Sequence, residues 1–241
     1  MTAASSRGPH RSPSLAACVL AAAVALAVSA VAGARPIDEQ PAWPDTFVAR
    51  LEALALIETL NSEILSSTSA TATLEAWCRD HKLAPEPRIV ARLVRGEAPP
   101  ATAEQRRHLR VNDVERVIAR SVDLRCGDVV LSKARNWYVP SRLTAEMNRL
   151  LETTETPFGT VIRPLQPYRQ TVAAEVLWRP LPPGWETGAG AEAPTSPAAS
   201  LAMPEALFEH HAIVFGRDHS PLSEVDEVYQ RGVLGFRVVA R

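Results

Sequence analysis

The residues of this chain whose types could do chemistry fall into four groups. Arg120 lies in an alternating apolar run, residues 114–124. A guanidinium carried on a strand offers a planar fork that can hold a carboxylate through two parallel hydrogen bonds. The same residue could equally be a surface arginine on the wet face of a sheet. The second group is the acidic segment 224–229, which carries Asp226 and Glu227. Neighbours on a strand point to opposite faces, so a register slip of one residue decides which of the two carboxylates faces inward.

The third group is His210-His211, and the same alternation keeps these two from chelating one ion. They read as ordinary strand histidines, while His81, His108 and His219 stand isolated and match no ligand spacing. The fourth group is Cys78 and Cys126, which could form a disulfide or serve as two small buried hydrophobes. Two cysteines without matched histidines do not make a structural zinc site. A G-x-S-x-G elbow and phosphate-cradling glycine loops are absent, so the expectation is a site without metal or cofactor.

The elements that must position these residues read as a mixed α and β pattern. Apolar residues recur at helical spacing from Phe47 to Leu65, and a second helical piece spans residues 74–81, separated from the first by a Ser/Thr-rich break. Residues 88–94 alternate as a strand, and residues 103–109 form a short polar helix or turn. Residues 114–124 and 129–139 form a hairpin about Cys126-Gly127-Asp128, where glycine supplies positive φ. Residues 141–151 form a helix that Ser141 can cap. Thr156-Pro157-Phe158-Gly159 makes a corner that opens onto strand-like residues 160–162, and 171–178 is a further strand. Residues 180–204 are rich in Pro, Ala and Gly and read as a long surface insertion. Strands return at residues 211–215 and 224–229, as pieces of one antiparallel sheet.

Composition bounds the function class. The chain has 241 residues, 46% hydrophobic and 22% charged, as expected for a globular protein with a real core. A formal net charge of -1 argues against nucleic-acid binding. Many of the 20 prolines lie in connecting tracts. Residues 1–34 combine Arg7, His10 and Arg11, a charge-free apolar run and Ala32-Gly33-Ala34. This is the pattern of a secretory signal peptide, with an uncleaved membrane anchor as the alternative. The expected organisation is therefore a signal over 1–34, a leader over 35–44 and a domain over 45–241, exported to the periplasm or beyond the cell.

Several segments, in order, resemble the chorismate pyruvate-lyase family and the related small-molecule-sensing domains of one class of transcription regulators. They are Ser69-Ala70-Thr71-Ala72-Thr73-Leu74-Glu75, Leu93-Val94-Arg95-Gly96, Ala119 to Leu124 around Arg120, Arg135 to Pro140, Thr156 to Gly159, and Pro221 to Tyr229. The resemblance covers about residues 51–234 without the insertion. It implies an α+β fold, an antiparallel sheet of about six strands with flanking helices over an internal ligand pocket. It further implies that Arg120, with backbone donors at Phe158-Gly159 and Ala70, holds a small aromatic carboxylate. Glu227, or Asp226 if the register slips, would meet the ring hydroxyl or assist proton transfer.

Two functions follow from the resemblance. One is elimination of pyruvate from chorismate to give 4-hydroxybenzoate, which needs orientation and charge compensation but no cofactor. The other is an exported protein that holds such an acid without converting it, which export itself favours.

Overall fold

The computed structural model describes residues 43–96, 99–188 and 196–236, so the expected signal segment and residues 35–42 of the leader lie outside the described residues. The architecture is α+β. A six-stranded antiparallel sheet has the order β2-β3-β4-β8-β7-β5, built from β2 (Ile89–Leu93), β3 (Ile118–Cys126), β4 (Val129–Tyr138), β5 (Tyr168–Val176), β7 (Ala206–Phe215) and β8 (Pro221–Gln230). β1 (Pro44–Asp45) pairs with β6 (Ser196–Ser200) in a separate ribbon. Among the described residues, no helix is long and apolar enough to cross a membrane.

One face of the sheet is covered by α1 (Phe47–Ser66) and α2 (Ala70–Asp80). Thr46 caps α1 by accepting from the Ala49 N–H, and a stripe of Ala49, Ala53, Ile57, Leu60 and Ile64 is buried at three- and four-residue spacing. α2 is capped by Ser69 and buries Leu74, Trp77 and Cys78. Two indole N–H groups in this layer are satisfied by the C-terminal turn: Trp43 donates to the Leu234 carbonyl at 3.1 Å and Trp77 to the Val233 carbonyl at 2.8 Å. A disulfide joins Cys78 of α2 to Cys126 at the end of β3.

Glycine is required at two places. Gly127 turns the β3–β4 hairpin with φ +56°, and a Cβ there would lie 2.9 Å from the Ala84 Cβ. A Cβ on Gly232 would stand 2.1 Å from the Val130 carbonyl oxygen, so the C-terminal turn can seat on β4 only without a side chain at that position.

Several elements differ from the sequence expectation. Residues 160–162 are not a strand; α5 (Phe158–Val161) is a helical turn, with the N–H groups of Thr160 and Val161 both bonding to the Pro157 carbonyl. β-branched propensity at Thr160-Val161-Ile162 is overridden by that closure and by burial of Val161 and Ile162. The helix expected at 141–151 is a 3-10 turn at Pro140–Arg142 followed by α4 (Ala145–Thr153), capped by Thr144 and not Ser141. The strand expected from residue 114 starts at Ile118. The Asn112 side chain accepts from the N–H groups of Val114 and Glu115, making a turn that lifts them off the sheet. The short helix expected at 103–109 is α3 (Ala103–His108), held by a Thr102–Gln105 capping box. Within the proline-rich stretch 180–204, Leu181 and Leu201 are buried and β6 pairs with β1, while residues 189–195 lie outside the described residues. Trp43, inside the expected leader, is buried in the core.

Candidate functional site

A cavity with about 650 Å³ of empty space, part of it open to solvent, opens between the sheet and the chain segments that cross its end. Its floor is set by strand alternation. Arg120, Val122 and Leu124 of β3 face the same side as Ala134 and Asn136 of β4, and as Val225 and Glu227 of β8. Its rim is the first turn of α2, with Ala70 and Thr71, and α5, with Phe158 and Gly159. The structure therefore brings Arg120, Glu227, Ala70, Phe158 and Gly159 to one hollow, although Arg120 and Glu227 are far apart in sequence. The ladder also settles the register on β8: Glu227 pairs with Ala134 on the cavity side. Asp226 instead pairs with Arg135 and lies on the opposite face.

Arg120 is 6% exposed, and its Nε and Nη2 atoms are buried without a hydrogen-bond partner among the described residues. Burial pulls its guanidinium below the ordinary arginine value, with the Tyr138 phenol acting weakly the other way. Asn136, directly across the ladder, likewise leaves its Oδ1 unpartnered. The cavity's one lining carboxylate does not serve Arg120. Glu227 accepts from Arg169 in a buried ion pair and, at 3.1 Å, from the Tyr229 hydroxyl, both through Oε2.

Arg169, on β5, is the functional-site residue that the sequence reading missed. Its side chain is 4% exposed. Burial lowers its pKa, but the Glu227 carboxylate charge and the Tyr229 phenol oxygen outweigh that and raise it overall. Behind it, His210 is buried, with Nε2 at 2.7 Å from Asn61 Oδ1 and Nδ1 at 3.5 Å from Arg169 Nη2. Burial first, and then the neighbouring Arg169 charge, lower the His210 pKa to about 4, so the ring is neutral near pH 7. It then donates from Nε2 to Asn61 and presents Nδ1 to the guanidinium as an acceptor. The Tyr229 phenol is pushed well above its ordinary value by burial and by Glu227, which keeps it a donor.

The rim adds backbone donors. Ser69 accepts from the Ala72 N–H, leaving the N–H groups of Ala70 and Thr71 without helical acceptors. α2 thus ends at the cavity with the positive end of its dipole. Phe158 sits in the first turn of α5, not at the start of a strand. Gly159 allows α5 to approach α2 closely: a Cβ there would meet Thr71 Oγ1 at 2.9 Å. His210 and His211 face opposite sides of the sheet, and no cluster of His, Cys, Asp and Glu able to share an ion lines the cavity among the described residues. Chemically, the site is an apolar hollow with one buried cation lacking a counter-ion among the described residues, one neutralised Arg–Glu pair and a helix N-terminus.

Comparison with known proteins adds a family but no ligand. No family model matches the chain. Among solved structures, PhnF from Mycobacterium smegmatis aligns with 73% of this chain and 70% of its own at 14% identity, with a TM-score of 0.42. The ligand-binding domain of a putative GntR-family transcriptional regulator from Bordetella bronchiseptica aligns with 64% of this chain and 90% of its own at 15% identity, with a TM-score of 0.37. Likeness of this degree assigns neither ligand nor activity. The uncharacterized protein y4mC of Sinorhizobium fredii is 45% identical over 215 residues, covering 87% of this chain and 90% of the relative. At that identity and coverage, the chain belongs to the y4mC family.

Proposed function

We propose that this protein binds a small planar monocarboxylate, of the hydroxybenzoate type, in the cavity beneath α2 and α5. The observation that carries the proposal is Arg120: a buried guanidinium with two unpartnered nitrogens facing an apolar hollow. An isolated buried cation is costly, and a ligand carboxylate is the group that relieves it. The charge balance of the lining is Arg120 and Arg169 against Glu227, which leaves one positive charge for one ligand carboxylate. The Ala70 and Thr71 N–H groups supply further donors. Glu227 uses Oε2 on Arg169 and Tyr229, so Oε1 is the atom available to a ligand hydroxyl.

The segments that resemble the chorismate lyases support an aromatic acid as the ligand class. Chorismate itself brings a second carboxylate, for which the described lining holds no further unpaired cation, so holding an acid is preferred to converting chorismate. The pattern of residues 1–34 and the Cys78–Cys126 bridge support export, since disulfides persist in oxidising compartments.

Calorimetric titration with 4-hydroxybenzoate, benzoate and chorismate tests this reading, with pyruvate release followed in parallel. The expected result is binding of the monocarboxylates without pyruvate release, weakened at least about a hundredfold in Arg120→Met. Pyruvate release above the spontaneous rate would replace binding by catalysis. No binding of any acid would remove the reading altogether.

A further inference from the structure

On the face of the sheet opposite the cavity, three residues from three elements converge: His108 at the end of α3, His211 of β7 and Glu224 of β8. One ligand atom from each lies within 4.8 Å of the others. His108 Nδ1 is hydrogen-bonded to Glu224 Oε2 at 3.0 Å, a contact that an ion would replace, and His211 Nε2 stands 2.9 Å from Glu224 Oε1. Glu224 is fully buried, while each imidazole is 32% exposed. The sequence treats His108 as isolated and His211, beside His210, as an ordinary strand histidine; only the crossing of α3 over β7 and β8 brings them together.

We infer that His108, His211 and Glu224 form a binding site for one divalent transition-metal ion of the zinc type. The 2.9 Å approach of His211 Nε2 to Glu224 Oε1 lacks the angles of a hydrogen bond, and both atoms are buried without a hydrogen-bond partner among the described residues. Two acceptors this close, neither satisfied, are aimed at a common third point. Ligands on a tetrahedral ion with bonds of about 2.0–2.1 Å are about 3.3 Å apart, so the two contacts to Glu224 are near the required spacing, and the cluster, whose ligand atoms lie within 4.8 Å of one another, has to close by up to about 1.5 Å through side-chain rotation.

The surroundings fit the same reading. Asp226 Oδ1 lies 3.3 Å from His211 Nδ1; a small rotation of the ring would turn that approach into a hydrogen bond, with the proton on Nδ1 and the Nε2 lone pair left for the ion, the arrangement common behind metal-bound histidines. Glu104 Oε1 lies 4.0 Å from His108 Nε2, one helical turn earlier, and gives the second ring a weaker version of the same support. Arg135, 3.7 Å from Asp226, is the neighbouring cation. Glu224 and Asp226 together leave the spot negative when the rings are neutral, and an ion compensates the buried Glu224 charge. Two imidazoles and one carboxylate suit zinc and its neighbours more than calcium or magnesium, and three protein ligands leave a coordination position open on the exposed side. The ion would tie α3 to the interior strand β8.

The test is equilibrium titration of the full-length, chelator-treated chain with Zn2+ against a competing chromophoric chelator, with Co2+ absorption as the spectroscopic readout. The expected result is one ion per chain in this site. Affinity should fall at least about tenfold in His108→Ala and about 10–100-fold in Asp226→Asn, a positioning change that removes no ligand. His219→Ala, a histidine outside the cluster, should leave it unchanged. His108 lies on a partly exposed helix end, and near-ultraviolet circular dichroism checks that its variant is folded; Asp226→Asn decides the matter if it is not. Absence of Zn2+ uptake at micromolar concentration, or uptake indifferent to both His108→Ala and Asp226→Asn, overturns the inference.

Discussion

Replacing Arg120 by methionine should stabilise the empty protein and destroy its response to ligand, a combination that few mutations produce. Arg120 is buried and its Nε and Nη2 atoms have no partner among the described residues, so the free protein bears the cost of dehydrating a cation without the return of an ion pair. Apolar side chains of similar volume that replace buried charges commonly stabilise by about 1–4 kcal/mol. Methionine keeps most of the length and fills an irregular apolar space well. The lower end of that range, about 1–2 kcal/mol, is expected because the cavity lets some water reach the guanidinium. In the wild type, 4-hydroxybenzoate at about one hundred times its Kd should add about 2.7 kcal/mol by mass action, and in Arg120→Met it should add close to nothing. Urea unfolding of both proteins at pH 7, with and without the acid, measures all four numbers. The stability order should reverse: variant above wild type when empty, wild type above variant when ligand is present. A loss of about 3–5 kcal/mol in the empty variant would mean that Arg120 already has a structural counter-ion, and the reasoning from an unpartnered cation would fail.

The other predictions follow from the same geometry. Arg169→Met leaves Glu227 as a buried carboxylate without its cation and should cost about 3–5 kcal/mol by denaturant unfolding, largely restored by adding Glu227→Gln. Gly159→Ala places a Cβ 2.9 Å from Thr71 Oγ1; it should cost about 1–3 kcal/mol and weaken ligand binding, with Thr71→Ala recovering part of both. His210 is protonated more readily in the unfolded chain, near pH 6.5, than in the folded one, near pH 4. The unfolded state therefore binds the extra proton between those values, and stability falls as the pH drops from 6.5 to 4, by at most about 3 kcal/mol. His210→Asn should flatten that part of the stability profile. The Cys78–Cys126 bridge closes a loop with a sequence separation of 48; the double Cys→Ala variant should lose up to about 4 kcal/mol by the chain-entropy relation.

Much of this arrangement was legible before folding was considered. Alternation along residues 114–124 and 129–139 placed Arg120 on a hairpin strand, but its cross-strand partner was not legible, because an irregularity between Leu124 and Arg125 shifts the register and brings Asn136 opposite Arg120. The Gly127 turn followed from its neighbours alone. Arg169 was not legible because β5 is an edge strand with little alternation, most of its side chains being partly exposed, and an irregularity between Thr171 and Ala173 shifts its parity. The choice between Asp226 and Glu227 depends on register against β4, which no local pattern sets. α5 hid because three β-branched residues favour a strand locally, whereas Pro157 and the α2 contact close a helical turn. The pairing of β6 with β1 joins segments about 150 residues apart without a period in either. The His108–His211–Glu224 cluster depends wholly on how α3 crosses the sheet, and sequence spacing carries no trace of that.

The most direct measurement is a crystal structure of the protein soaked with 4-hydroxybenzoate. The expected result is electron density in the hollow between Arg120 and α2, with the carboxylate at about 2.7–2.9 Å from guanidinium nitrogens and the hydroxyl directed toward Glu227. A guanidinium turned out to solvent, or an acid bound elsewhere while the hollow holds only water or side chains, would contradict the account.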